Sequence, residues 1–206
     1  MHPYAVDLKE RNSVIIKLTV ISMILALLIG EGISWLSTIV PFITDSLWWK
    51  LIDFPALFGV FFGLFNWFNR SLWKNKWVRR ILGVKTPILD GRWQGTLRSS
   101  YDDFNTPYPV ELYIHQNWYD ICIELKTNSS KSFSISASLL VENRPGQIRL
   151  HYEYQNEPNA NAPDTMNIHK GTTQLILDLE TQTLEGEYYT SQDRRQWGTI
   201  TLQRAS

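Results

Sequence analysis

The sequence predicts an N-terminal two-helix transmembrane hairpin followed by an all-β domain, an eight-stranded up-and-down antiparallel β-barrel. Three observations predict it. Two apolar segments, about Val14 to Val40 and Leu47 to Phe68, are each long enough to cross a bilayer, which takes about 20 helical residues. After Pro87 the chain alternates apolar and polar residues in run after run, the period of a strand with one wet face. Turn residues separate those runs at short spacing, which favours a meander that closes on itself. The boundaries that follow are 1–72 for the hairpin, 73–87 for a basic amphipathic linker and 88–206 for the barrel.

The first apolar segment lacks a small-residue cleavage site and a second span follows at once, so it reads as a span and not a signal peptide. Lys plus Arg number 20 and Asp plus Glu number 20, so whole-chain charge excludes no class of partner. The local distribution is more informative. Arg70, Lys74, Lys76, Arg79, Arg80 and Lys85 fall in residues 69–85 with no acid among them, while Pro41–Ser46 carries only Asp45. Basic flanks stay on the cytoplasmic side, which predicts a multi-pass topology with both termini and the barrel in the cytoplasm. The linker then reads as a short helix along the inner membrane surface, ended by Pro87.

Each span carries polar or small residues. Glu31 sits near the outer end of the first, and Lys50 and Asp53 near the outer end of the second. Ionisable groups at such depth face protein or water, so they either fix the hairpin or form an assembly seam between copies. Gly59 and Gly63 make a small-xxx-small pattern that permits close helix contact, within the hairpin or between chains.

Eight strands are expected: Gly91–Ser99, Pro109–Gln116, Asp120–Thr127, Ser132–Val141, Gln147–Gln155, Lys170–Leu179, Leu184–Thr190 and Gln196–Gln203. The fourth shows the clearest alternation, with Phe133, Ile135, Ala137 and Leu139 as the apolar face against Ser132, Ser134, Ser136 and Ser138. Asn117, Asn128-Ser129-Ser130, Asn143-Arg144-Pro145-Gly146 and Glu180-Thr181-Gln182-Thr183 supply turns, and two longer loops cover about 100–107 and 156–167. An eight-stranded barrel of lipocalin-like form holds one small ligand. A sandwich is the structural alternative.

The meander sorts residues onto two rims. Asp90, Asn117, Arg144 and Thr181 fall at the end where the chain enters. The opposite end collects Lys126, Lys170 and Thr172 together with ten candidate ligand residues, Arg98, Tyr101, Lys131, Tyr152, Tyr154, Tyr188, Thr190, Arg194, Arg195 and Trp197. The inward faces Ile148, Leu150, Tyr152, Tyr154 and Leu184, Gly186, Tyr188, Thr190 change from aliphatic to hydroxyl-bearing as they approach that mouth. Aromatic faces beside cations suit a ligand with flat bases and phosphates.

No catalytic constellation is expected. His2, His115, His151 and His169 lack metal-ligand spacing, and no nucleophile elbow or phosphate loop occurs. Cys122 is the single cysteine, so no internal disulfide forms, in keeping with a reducing compartment. The residues alone leave three readings besides a sensor: a passive membrane-tethered module for an apolar ligand, a scaffold for a protein partner, and a membrane-bound enzyme, the least favoured.

Leu89-Asp90-Gly91-Arg92-Trp93-Gln94-Gly95, Leu184-Glu185-Gly186-Glu187-Tyr188-Tyr189 and Gln196-Trp197-Gly198-Thr199-Ile200, placed after two spans and a basic tether, carry a resemblance. The chain resembles the two-transmembrane, β-strand-rich effectors of CBASS antiphage systems, whose minimal β-barrel senses cyclic dinucleotides. The likeness covers essentially the whole chain in architecture. It implies a non-enzymatic antiphage effector of the bacterial inner membrane that needs no cofactor or metal. Its implied partners are a cyclic dinucleotide, inner-membrane lipids and further copies of itself, with no nucleic-acid polymer. Ligand binding would drive oligomerisation, and the clustered spans would breach the membrane. The candidate ligand residues rest on the rim argument, not on a family motif.

Overall fold

The computed structural model describes residues 1–6, 9–39, 48–141, 147–192 and 194–205, with backbone alone over 36–39 and 48–56. The chain divides into two compact units, Lys9–Lys85 and the remainder formed by Met1–Leu8 with Thr86–Ser206.

The first unit is helical. Helix α1 runs Glu10–Ile39 and α2 runs Trp48–Arg70, and the two pack along each other. Val14, Leu18 and Ser22 of α1 form one narrow buried stripe, whereas Ile16, Leu27, Leu28 and Ile29 are exposed. A helix that is apolar on every side keeps one seam for protein and offers the rest to lipid. Over Glu10–Trp35, α1 is the one helix among the described residues long and apolar enough to cross a membrane. Glu31 is exposed on it. The side chains of Lys50 and Asp53 lie outside the described residues. A methyl group placed at Gly59 or Gly63 would meet nothing within 4 Å among the described residues.

After α2 comes a 3-10 turn, Leu72–Lys74, and then helix α3, Lys76–Leu82. Asn75 caps α3 by accepting the N–H groups of Trp77 at 2.9 Å and Val78 at 3.3 Å. Gly83, and not the expected Pro87, ends it, at φ 77, the left-handed conformation that glycine takes without strain. Lys17 Nζ donates to the Leu82 carbonyl at 2.8 Å, and the Glu10 carboxylate accepts the Lys85 N–H. Trp73 is fully buried beside α3, while Trp77 and Ile81, one turn apart, are 72% and 71% exposed.

The second unit is the barrel. Its strands are β3 Gly91–Ser99, β4 Tyr108–Gln116, β5 Asp120–Lys126, β6 Ser130–Leu140, β7 Ile148–Pro158, β8 His169–Asp178, β9 Thr183–Thr190 and β10 Trp197–Arg204. Each pairs antiparallel with the next in sequence, β10 returns to β3, and the closed barrel is therefore up-and-down. Trp93, Leu112, Ile114, Ile121, Ile123, Leu139, Leu150, Leu175 and Leu184 fill the interior toward the end where β3 begins. Two short strands precede α1 and belong to this unit: β1, His2–Pro3, on β5, and β2, Ala5–Val6, on β6.

The structure corrects the face assignment of β6. The register shifts between Ser134 and Ser136, a bulge that adds one residue and reverses the side-chain alternation. Beyond the bulge Ala137 and Leu139 pack inward as the alternation predicts. Before it the face is inverted: Phe133 and Ile135 are 39% and 43% exposed, and Ser130 and Ser132 are buried.

Candidate ligand-binding site

The end of the barrel opposite its aliphatic core is hollow, with a cavity of about 400 Å³. Its floor is aromatic. Tyr152 and Tyr154 of β7 and Tyr188 of β9 point inward because they continue the alternation of Leu150 and Leu184, and all three are buried. The rings of Tyr152 and Tyr154 lie 6.3 Å apart at 55°. Two glycines make room for them. A Cβ at Gly171 would stand 2.4 Å from the Tyr154 hydroxyl, and one at Gly198 would stand 2.4 Å from Cε1 of Tyr188. Neighbouring strands thus give up a side chain so that a ring lies along the wall.

One wall is built from hydroxyls. Thr127 Oγ1 accepts the N–H groups of Ser129 at 3.2 Å and Ser130 at 3.0 Å, which folds the β5–β6 turn tightly. Asn128, Ser129, Ser130 and Ser132 line the cavity on this side, the last two because of the β6 bulge. The opposite wall is the β9–β10 turn. Thr190 Oγ1 donates to the Gln196 carbonyl at 3.0 Å and stands 2.8 Å from the Gln196 nitrogen, pinning the turn at its base. Arg194 lies between. Its Nε donates to Gln196 Oε1 at 2.7 Å, and a terminal nitrogen stands 3.3 Å from His169 Nδ1. Arg194 is the one Lys or Arg among the described residues lining the cavity.

Burial sets the protonation states. It pushes the Tyr152 hydroxyl up to about 12 and raises Tyr154 and Tyr188 also, so these groups stay neutral donors. Burial, and then the neighbouring Arg194 charge, hold His169 below the ordinary histidine value against the raising effect of the Asn167 carbonyl. The cup therefore presents one fixed positive charge, neutral hydroxyl and amide groups, and ring faces.

Of the ten candidate ligand residues expected from the sequence, six meet in this cavity: Tyr101, Tyr152, Tyr154, Tyr188, Thr190 and Arg194. The other four point elsewhere. Arg98 is exposed and donates to the Phe104 carbonyl at 2.7 Å. Lys131 is exposed on the outer face, opposite Glu157. Arg195 is exposed in the turn at φ 49, and Trp197 packs on Phe104 outside the barrel, ring centroids 4.8 Å apart. Sequence reasoning missed Tyr108, Asn156, His169, Thr173 and Gln196, and the serines of β6. No sequence signal marked the serines, because the bulge that turns Ser130 and Ser132 inward leaves none. Among the described residues no group of three or more His, Cys, Asp or Glu could hold a metal ion.

A closed barrel with an aromatic floor, a hydroxyl wall and one guanidinium at its mouth is a small-ligand receptor suited to flat rings joined to anionic groups. Comparison with known proteins agrees. Residues 84–204 match the family model described as Cap15, cyclic dinucleotide receptor domain, and the chain belongs to that family of CBASS effectors. It is 34% identical over 146 residues to the CD-NTase-associated protein 15 of Yersinia aleksiciae, covering 71% of this chain and 68% of the relative. It is 29% identical over 143 residues to the CD-NTase-associated protein 15 of Staphylococcus schleiferi, covering 69% and 74%. The matched family is a receptor domain and not a known enzyme family.

Proposed function

We propose that the cup is the cyclic dinucleotide site, that occupancy drives barrels to associate, and that the clustered helices then breach the bilayer to stop phage spread. The observation that carries the reading is the cup itself. Tyr152, Tyr154 and Tyr188 offer faces for the bases, Arg194 offers a charge-assisted contact to one phosphate, and the Ser129–Ser132 wall offers neutral donors to the other. A carrier of apolar ligands would be served by a purely aliphatic lining; this cup presents more apolar than polar surface, but hydroxyl-bearing Ser, Thr and Tyr make up about half of its lining residues.

In the helical unit, α1 leaves most of its apolar surface uncovered among the described residues, and on this reading α2 is the second span, with a Gly59 and Gly63 face that no described residue covers and that a neighbouring copy would meet. The exposed Trp77 and Ile81 of α3, flanked by Lys76 and Arg80, suit an anionic lipid surface. Confinement to a membrane raises the effective concentration of copies, so a modest ligand-dependent contact suffices for assembly.

The test is dye release from anionic proteoliposomes carrying the full chain, with a panel of cyclic dinucleotides added on the barrel side. Release triggered by one member, and abolished by Arg194→Ala, is the expected result. Binding without release would reduce the protein to a tethered receptor module.

A further inference from the structure

The barrel wall is not made by its eight long strands alone. β5 and β6 pair directly only at the cup end, where Glu124, Leu125 and Lys126 face Phe133, Ser132 and Lys131. Both strands run on, but the first six residues of the chain lie between them. His2 and Pro3 pair antiparallel with Ile121 and Asp120, and Ala5 and Val6 pair parallel with Ser138 and Leu139. A sheet edge left open at this point would present unpaired backbone groups, and the N-terminal segment supplies the partners.

Tyr4 is the anchor. Its side chain is 2% exposed within the barrel core. Its hydroxyl donates to the Trp118 carbonyl at 3.2 Å and accepts from Gln116 Nε2 at 3.1 Å. Gln116 is itself buried and uses both ends of its amide: Nε2 also donates to the Pro87 carbonyl at 3.0 Å, and Oε1 accepts the Leu89 N–H at 2.7 Å. Pro87 and Leu89 belong to the connection that leads from α3 into β3, and Tyr4 to the segment that leads into α1. Within the barrel unit, one buried amide therefore holds both segments through which the chain enters and leaves it, at Tyr4 and at Pro87 and Leu89. At the bulge, Ser134 Oγ accepts the Ile123 N–H at 2.9 Å and lies 2.7 Å from His2 Nε2. The strands that carry Leu125, Ser130 and Ser132 to the cup thus carry the N-terminal segment at their other end.

We propose that Met1–Val6 is a docked strand through which cup occupancy is transmitted to α1, with Tyr4 and Gln116 as its positioning residues. It rests on the membrane-breaching reading above and adds to it a specific route. A ligand drawn against Ser130 and Ser132 shifts the β5–β6 seam, the inserted segment moves with the seam, and α1 follows because it begins at Glu10, four residues after Val6. With the segment undocked, the barrel keeps its ligand site and loses this connection.

The experiment uses the full chain in proteoliposomes, with binding and dye release measured side by side. Tyr4→Ala and Gln116→Leu should leave ligand affinity within about twofold, because the cup lies at the other end of the strands. Ligand-triggered release should fall by about tenfold, and backbone amides of 120–123 should exchange faster with solvent. Pro3 and Asp120 are direct partners, a spacing that accepts a disulfide. Pro3→Cys with Asp120→Cys, in a Tyr4→Ala and Cys122→Ala background, should restore release when oxidised and lose it when reduced. Three outcomes overturn the proposal: undiminished release in Tyr4→Ala, affinity falling in step with release, or no restoration by the oxidised pair. A wild-type chain that binds ligand without releasing dye would instead overturn the membrane-breaching reading.

Discussion

Arg194 and Arg195 are neighbours of identical chemistry that the β9–β10 turn points in opposite directions, and that makes them a matched pair for testing the site. Arg194 is partly buried at the cavity wall, held by Gln196 and beside His169, whereas Arg195 stands in solvent. A hydrogen bond from a charged donor contributes about 1.5–3 kcal/mol. Partial exposure and salt screening keep the mouth of the cup toward the lower part of that range. At about 1.4 kcal/mol per factor of ten, Arg194→Ala should raise the dissociation constant for a cyclic dinucleotide about 10- to 30-fold. Arg195→Ala removes only a screened, exposed charge and should change it by about twofold or less. The assay is isothermal calorimetry on the full chain in detergent micelles at two salt concentrations. The salt dependence should weaken in Arg194→Ala alone. Equal losses in the two variants, or a larger loss from Arg195→Ala, would refute the assignment of the cup and point to the outer face of the rim.

Other outcomes follow from the same geometry. Gly171→Ala brings a methyl group to 2.4 Å from both the Tyr154 hydroxyl and the Tyr189 carbonyl; overpacking of this kind costs about 1–3 kcal/mol, visible as a lower thermal midpoint by tryptophan fluorescence, and an unchanged midpoint would contradict the packing. Leu150, fully buried under the floor, should cost about 2–5 kcal/mol as Leu150→Ala, measured the same way. Binding should be flat from pH 7 to 9, because the floor tyrosines are raised, Tyr152 to about 12. Below the ordinary histidine value of about 6.5, protonation of His169 adds a positive charge beside Arg194, so affinity for an anionic ligand should rise. The unliganded barrel should lose stability over the same window, since the folded-state value lies below the unfolded one and the unfolded chain takes the proton first; His169→Asn should remove the affinity effect and reduce the stability loss, leaving the part due to His151, whose value burial also lowers. Gly63→Leu fills an open helix face and should suppress dye release while leaving ligand affinity unchanged.

The barrel was legible because its strands obey the period-two rule over most of their length. β3 runs from Gly91 to Ser99 as the alternation indicates, and Leu150, Tyr152 and Tyr154 face inward for the same reason. The misreading of β6 has one cause. A bulge at Ser134–Ser136 leaves no mark in composition, yet every residue before it changes face. That inversion moved Ser130 and Ser132 into the cup and Phe133 onto the surface. Alternation also lapses in turns, so it could not separate Arg194 from Arg195, where a positive φ at Arg195 sends the two side chains apart. β1 and β2 were invisible because two residues apiece carry no period, and their partners lie more than a hundred residues away in sequence. Their seats are made by the splay of β5 and β6, a property of the closed barrel and not of the segment that fills it.

The hollow end of the barrel is the proposed seat of a cyclic dinucleotide. The most direct measurement is calorimetric titration of a cyclic dinucleotide panel into the full chain in nanodiscs, with Arg194→Ala titrated alongside. One member should bind at one molecule per barrel, and Arg194→Ala should weaken it about 10- to 30-fold. Binding of no member by a folded chain, or binding indifferent to Arg194, would contradict that assignment.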